Sequence, residues 1–127
     1  RSNMSKVGGY KREDGKWVKP PTYSPAALQD ILEAIERIDR YTDDMEYDAW
    51  LRDQKTVDAV IRNLEIIGEA ASHIPHEVEG QYPGVPWKEM RGIRTILAHE
   101  YFGVDLEVIW RTIQDDLPSV REKLEGT

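Results

Sequence analysis

Apolar residues recur at helical spacing along most of the chain. Leu28, Ile31, Leu32, Ile35 and Ile38 form one stripe running to about Tyr41, which predicts a helix with one buried face. Ser24-Pro25 is its start signal. The serine can cap a free backbone N–H, and proline at the first helical position gives up a donor that would be unpaired anyway. Thr42-Asp43-Asp44 breaks the pattern, and a short helix around Tyr47 to Leu51 offers Tyr47, Trp50 and Leu51 as a lid on the core. The longest predicted helix runs from about Lys55 to Ile74, with Val57, Val60, Ile61, Leu64, Ile67, Ala71 and Ile74 on one side and Pro75 as its stop. Gly68 inside it costs about 1 kcal/mol relative to alanine. The Gly68-Glu69-Ala70-Ala71 run therefore predicts close approach by another helix.

Residues from His76 to Val85, with Gly80, Pro83 and Gly84, read as a loop. His73 and His76 flank the preceding helix end, where they complement its C-terminal dipole. Pro86 opens the central helix, Trp87 anchors it and Gly103 is placed to end it. Asp105 caps a further helix whose Leu106, Ile109, Trp110 and Ile113 face inward, and Pro118 kinks or divides it before a last turn or two, Ser119 to Leu124. The expected fold is all-α: an antiparallel four-helix-type bundle over residues 24–127 with extra short helices. Residues 1–23 form a non-helical N-terminal arm, of which Arg1-Ser2-Asn3 reads as an expression remnant. Within the arm, Asp14-Gly15 lies between short alternating runs from Tyr10 to Val18, a hairpin signal. A lone hairpin is marginal in water, so Tyr10 and Trp17 need a surface to pack on.

Size changes this picture little: 127 residues suit one domain with one core. No apolar run approaches the roughly 20 residues of a membrane span, and no secretory signal is visible at the N-terminus. Cysteine is absent, which excludes disulfides and thiolate metal sites and is compatible with a cytoplasmic location. Charge changes it more. The net charge is −7, but residues 1–23 hold six Lys/Arg against two Asp/Glu, a net +4, leaving eleven against twenty-two, a net −11. So acidic a body argues against broad, non-specific nucleic-acid binding, and any RNA chemistry must rely on a local pocket. The basic arm is expected to fold over an acidic face, its own or a partner's, and to contribute to oligomerisation.

Candidate chemistry concentrates in one stretch, Arg91 to Phe102, where a cation, an imidazole and a phenol fall within a few residues of one helix. There is no Gly-rich phosphate loop, no order of Ser, His and Asp suggesting a triad, and three histidines without cysteine do not make a zinc pattern. Paired carboxylates are common but mostly mark solvated helix faces. At 100° per residue His99 lies about 140° around the axis from Arg94, while Tyr101 returns to within about 20° of it, roughly 10 Å further along. Arg91 is one turn before Arg94. One straight helix does not easily aim Arg94 and His99 at the same atom; a second copy brought up by a two-fold axis could. An imidazole titrating at about pH 6.5 can take a proton from an RNA 2′-hydroxyl. A guanidinium can hold the scissile phosphate by a fork of donors. No metal is needed where the nucleophile is that neighbouring hydroxyl. The plainer alternative is that Arg94 makes an ordinary salt bridge with Glu65, Glu69 or Glu100, that His99 merely ends a helix and that Tyr101 packs.

Arg94-x4-His99-x-Tyr101 in a small all-helical protein resembles the R-x4-6-H motif of the HEPN superfamily, and more closely the R-x4-H-x-Y motif of the HepT-like toxins. Ala59-Val-Ile-Arg-Asn-Leu-Glu-Ile-Ile-Gly-Glu-Ala70, Tyr82-Pro-Gly-Val-Pro-Trp87, His99-Glu-Tyr-Phe-Gly-Val-Asp105 and Asp116-Leu-Pro118 agree with that family. The resemblance spans about Leu28 to Leu124, leaving the basic arm outside. It implies a homodimer paired about the motif helices and a cytoplasmic, metal- and cofactor-independent endoribonuclease. His99 would be the general acid/base, Arg94 the phosphate clamp, and Arg91 and Thr95 supporting residues. It further implies a type VII toxin–antitoxin system, in which a minimal nucleotidyltransferase antitoxin transfers AMP to Tyr101, adding bulk and negative charge beside the cleft. The chain departs from the pattern at Thr95, where family members often carry Asn. Threonine hydrogen-bonds less flexibly, which points to reduced or altered nuclease activity. Glu100 adds an acid near a phosphate site, though on a helix it projects about 100° from either neighbour. The rival expectation is a nuclease-inactive dimer serving as scaffold or substrate for the transferase.

Overall fold

A computed structural model describes residues 11–13, 16–18, 25–99 and 105–126, excepting the side chains of 11–13, 16–18, 25, 96, 98 and 99. Among these residues, seven α-helices carry the fold: α1 (Pro25–Tyr41), α2 (Tyr47–Leu51), α3 (Gln54–Ala71), α4 (His76–Glu79), α5 (Trp87–His99), α6 (Leu106–Arg111) and α7 (Leu117–Glu125). Strands β1 (Lys11–Glu13) and β2 (Lys16–Val18) pair antiparallel in the arm, with Arg12 opposite Trp17, in the register that a two-residue Asp14-Gly15 turn demands. The turn itself, Ser24 and Gly103 lie outside the described residues, as does the contact expected of the arm.

The architecture is the expected all-α antiparallel bundle, but the helix at its centre is α3. It packs on α1 along one side and on α5 along the other, while α2 crosses its start and α7 leans on α1. The stripes explain this. Ile31, Ala34, Ile35 and Ile38 of α1 are fully buried against Val60, Leu64 and Ile67 of α3, with Trp50 of α2 sealing one end. Trp50 stacks at 5.2 Å on Trp110, and Tyr47 sits 6.1 Å from Trp110, so the expected lid is an aromatic bracket between α2 and α6. Partial burial, then Glu107, Asp105 and Asp48, push the Tyr47 phenol above its ordinary pKa.

One partly buried polar pair sets the alignment of α1 on α3. Asn63 is 5% exposed; its Oδ1 accepts from Arg37 Nε at 2.7 Å and its Nδ2 donates to the Ala59 carbonyl at 2.8 Å. Sliding the helices would leave the amide oxygen unsatisfied, at a cost of about 1–3 kcal/mol, while the Nδ2 bond, internal to α3, would remain.

Three boundaries differ from the sequence expectation, each for a local reason. Helix α3 ends at Ala71, not Ile74. The residue four beyond Ala71 is Pro75, which has no N–H, so the Ala71 carbonyl accepts from Ile74 instead and the last turn tightens. His76 to Glu79, expected as loop, form the single turn α4; four residues are too few to show a period. The last helix is divided as expected, but the division falls ahead of Pro118, which stands in the first turn of α7. A π turn, Thr112–Asp116, precedes it, and Leu117 N–H reaches back to the Thr112 carbonyl, leaving room for the proline ring near the start of α7. Asp105 caps α6 as expected, its carboxylate accepting from Glu107 N–H and Val108 N–H. Among the described residues no helix is long and apolar enough to cross a membrane.

Candidate active site around Arg94

Helix α5 carries the motif, and its position is set by α3. Trp87, Met90 and Leu97 are the buried residues among the described side chains of α5, and Ile93 between them is partly buried. Opposite them, Gly68 presents no side chain. A Cβ placed there would lie 3.1 Å from Arg94 Cγ, 3.3 Å from Arg94 N and 3.3 Å from the Met90 carbonyl oxygen. The close approach expected of Gly68 is therefore real, and the residue whose stem lies in the notch is the motif arginine.

From that notch the Arg94 side chain runs to Glu69, the next residue of α3. Arg94 Nη1 lies 2.5 Å from Glu69 Oε1. The other carboxylate oxygen, Oε2, meets His73 Nε2 at 2.9 Å. A chain of contacts thus runs from the end of α3 to α5: imidazole, carboxylate, guanidinium. All three side chains are open to solvent, Arg94 being 54% exposed, His73 53% and Glu69 52%. They line a groove of about 540 Å³ between α1, α3 and α5, to which Asp30, Arg62, Glu65 and Ile66 also contribute. Arg94 is thus an exposed cation at an open groove, as the phosphate-clamp role requires. It also has the Glu69 partner that the plainer sequence alternative named.

The other expected site residues scatter. Arg91, half-buried, turns away to Glu79 of α4, whose side chain is 14% exposed and whose carboxylate also faces His76 Nδ1 at 3.4 Å. Arg91 and Arg94 therefore do not converge on one point in the isolated chain; they hold α5 to two different elements. Thr95 is exposed on α5. His99 is the last residue of α5, with its side chain outside the described residues, and Tyr101 lies wholly outside them.

Comparison with known proteins bears on what this arrangement does. The model of the HepT-like family, described as "Ribonuclease HepT-like", matches residues 31–126. The chain belongs to the HepT-like ribonuclease family. It is 48% identical over 98 residues to "Probable ribonuclease HepT" of Thermococcus cleftensis, covering 77% of this chain and 89% of that protein. Two Methanocaldococcus jannaschii proteins, each named "Putative RNase", are 41% and 44% identical over 100 residues, which is 79% of this chain and 92% and 83% of theirs. No solved structure is a significant match. The family recognised from R-x4-H-x-Y is therefore the right one.

Two participants escaped the sequence reading. His73 was expected only to face the helix dipole, and its Glu69 partner four residues earlier was the available signal. Glu79 carried none: nothing in the sequence says that a lone turn will bring it beneath Arg91, twelve residues on.

Proposed function

We propose that this chain is the toxin of a type VII toxin–antitoxin system: a cytoplasmic, homodimeric endoribonuclease that needs no metal. What carries the reading is a HepT-like family match over residues 31–126 together with the family's motif arginine, Arg94, standing exposed at an open groove. His99 is the general acid/base and Arg94 the phosphate clamp, with Thr95 beside it. The 2′-hydroxyl of the RNA attacks the adjacent phosphorus as imidazole takes its proton. The guanidinium stabilises charge developing on the phosphoryl oxygens, and the bond to the 5′-oxygen breaks as that oxygen receives a proton, leaving a 2′,3′-cyclic phosphate. One proton is removed and another supplied, which suits two imidazoles brought together by a two-fold axis through the motif helices. Control is by a minimal nucleotidyltransferase antitoxin that transfers AMP to Tyr101, blocking RNA entry by charge and bulk. The basic arm, residues 1–23, is a separate element from the bundle of 24–127.

The test is cleavage of single-stranded RNA by purified, unmodified protein in the presence of a metal chelator. Arg94→Ala and His99→Ala are each expected to abolish cleavage and growth arrest while leaving the fold and dimer intact. Wild-type toxicity in either variant refutes its assigned role.

A second reading has one observation in its favour. Glu69 already occupies Arg94, and Thr95 stands where family members often carry Asn, as in a dimer that no longer cuts RNA and serves the transferase as scaffold or substrate. The same chelator assay separates them: intact RNA after prolonged incubation with unmodified protein selects the scaffold.

A further inference from the structure

We infer that Glu69 is a positioning residue for Arg94, holding its guanidinium at the mouth of the groove so that it meets the scissile phosphate in one orientation. The inference rests on the nuclease reading above. An arginine on an exposed helix face has many rotamers, and a clamp that must find its geometry at each turnover loses rate. Arg94 is fixed at two points instead. Its stem is seated in the Gly68 notch, where even a methyl group would come within 3.1 Å of Cγ. Its head is fixed by Glu69 Oε1.

The carboxylate is itself oriented, because Oε2 is held by His73 Nε2 at 2.9 Å. Glu69 cannot swing away from Arg94 without giving up a second partner. Contact is made through one terminal nitrogen, Nη1, and a guanidinium carries five N–H donors in a rigid fork. Among the described residues nothing occupies the other edge. A carboxylate on one edge and an open second edge is what a bidentate phosphate contact needs. Other charged groups line the groove: Arg62 and Glu65 from α3, and Asp30 from α1. None of them makes a hydrogen bond to Glu69 or Arg94, so the relay to α5 runs through Glu69.

The experiment compares wild type, Glu69→Ala, Glu69→Gln and Arg94→Ala, all as full chains, in steady-state cleavage of a fluorophore–quencher oligoribonucleotide containing all four bases. Glu69→Ala is expected to lower kcat by about ten- to a hundredfold, the scale of a misplaced clamp, with KM changed by less than about threefold. Glu69→Gln keeps the side chain's length and an oxygen able to accept a hydrogen bond from Arg94 Nη1, so it is expected to restore kcat to within about threefold of wild type. Unchanged kcat in Glu69→Ala overturns the inference. So does faster cutting with lower KM, which makes Glu69 a competitor of the phosphate, and so does Glu69→Gln no better than Glu69→Ala. Those outcomes arise with wild type active and Arg94→Ala inactive. If wild type does not cut, or Arg94→Ala cuts equally well, the nuclease reading is what has failed, and this inference goes with it.

Discussion

The notch at Gly68 makes a quantitative prediction because α5 supplies its own control. In Gly68→Ala the new methyl gains helix propensity worth about 1 kcal/mol. Against that gain, it comes within 3.1 Å of Arg94 Cγ and 3.3 Å of both Arg94 N and the Met90 carbonyl oxygen. The side-chain contact can relax, but the other two are backbone atoms of α5 and yield only if that helix moves away from α3. Overpacking of this kind costs about 1–3 kcal/mol. The net is a destabilisation of about 1 kcal/mol, equivalent to roughly 3–5 °C in Tm for a chain of this size.

Gly92, on α5 itself, has nothing among the described residues within 4 Å of the position its Cβ would take. There only the propensity gain remains, so Gly92→Ala should raise stability by about 1 kcal/mol. Thermal and urea unfolding of the two variants, at matched protein concentration, read the difference directly. Opposite signs support a packed α3–α5 notch. If Gly68→Ala stabilises as much as Gly92→Ala, the helices are not in contact there, and the account of how Arg94 is seated falls with the packing.

Four further outcomes are expected. Trp50→Ala removes a fully buried ring and should cost about 3–5 kcal/mol in urea unfolding, a loss under about 1 kcal/mol showing that α2 is not part of the core. Arg91→Ala leaves the largely buried Glu79 side chain with only the His76 contact and should cost about 1–3 kcal/mol; unchanged stability would show that the Arg91 pair does not hold α4. Because the folded protein holds the Tyr47 phenol above its ordinary pKa, that contribution to stability is intact below about pH 10 and is lost as pH rises through the folded value. Tyr47→Phe should therefore lose less Tm between pH 9 and pH 11 than wild type, and an equal loss refutes the shift. Tyr101→Phe, incubated with the proposed transferase and ATP, should gain no AMP mass, and an unchanged increment would move the modification elsewhere.

What the sequence disclosed and what it withheld divide along one physical line. Where burial is set by a residue's own helix, the stripe was enough: Ile31, Ile35 and Ile38 face the core because they recur every three or four positions, and α3 follows from Val57 to Ile67 for the same reason. Caps were legible where the capping group is adjacent, as at Asp105. The end of α3 was misjudged because the effect of Pro75 is felt four residues earlier, at a carbonyl left without its donor. For the site, Gly68 announced a close contact without saying with what, and Glu69 was one of three acids offered to Arg94. Between the two acids of α3, Glu65 and Glu69, the choice was made by the packing of α5 against α3, which brings Arg94 over Gly68 and so within reach of its neighbour. The glycine that looks like a packing concession and the carboxylate that looks like an ordinary ion-pair partner are consecutive residues, and their adjacency gives the arginine one direction to point. A function assigned to Arg94 alone would overlook that its geometry is built on the opposite helix.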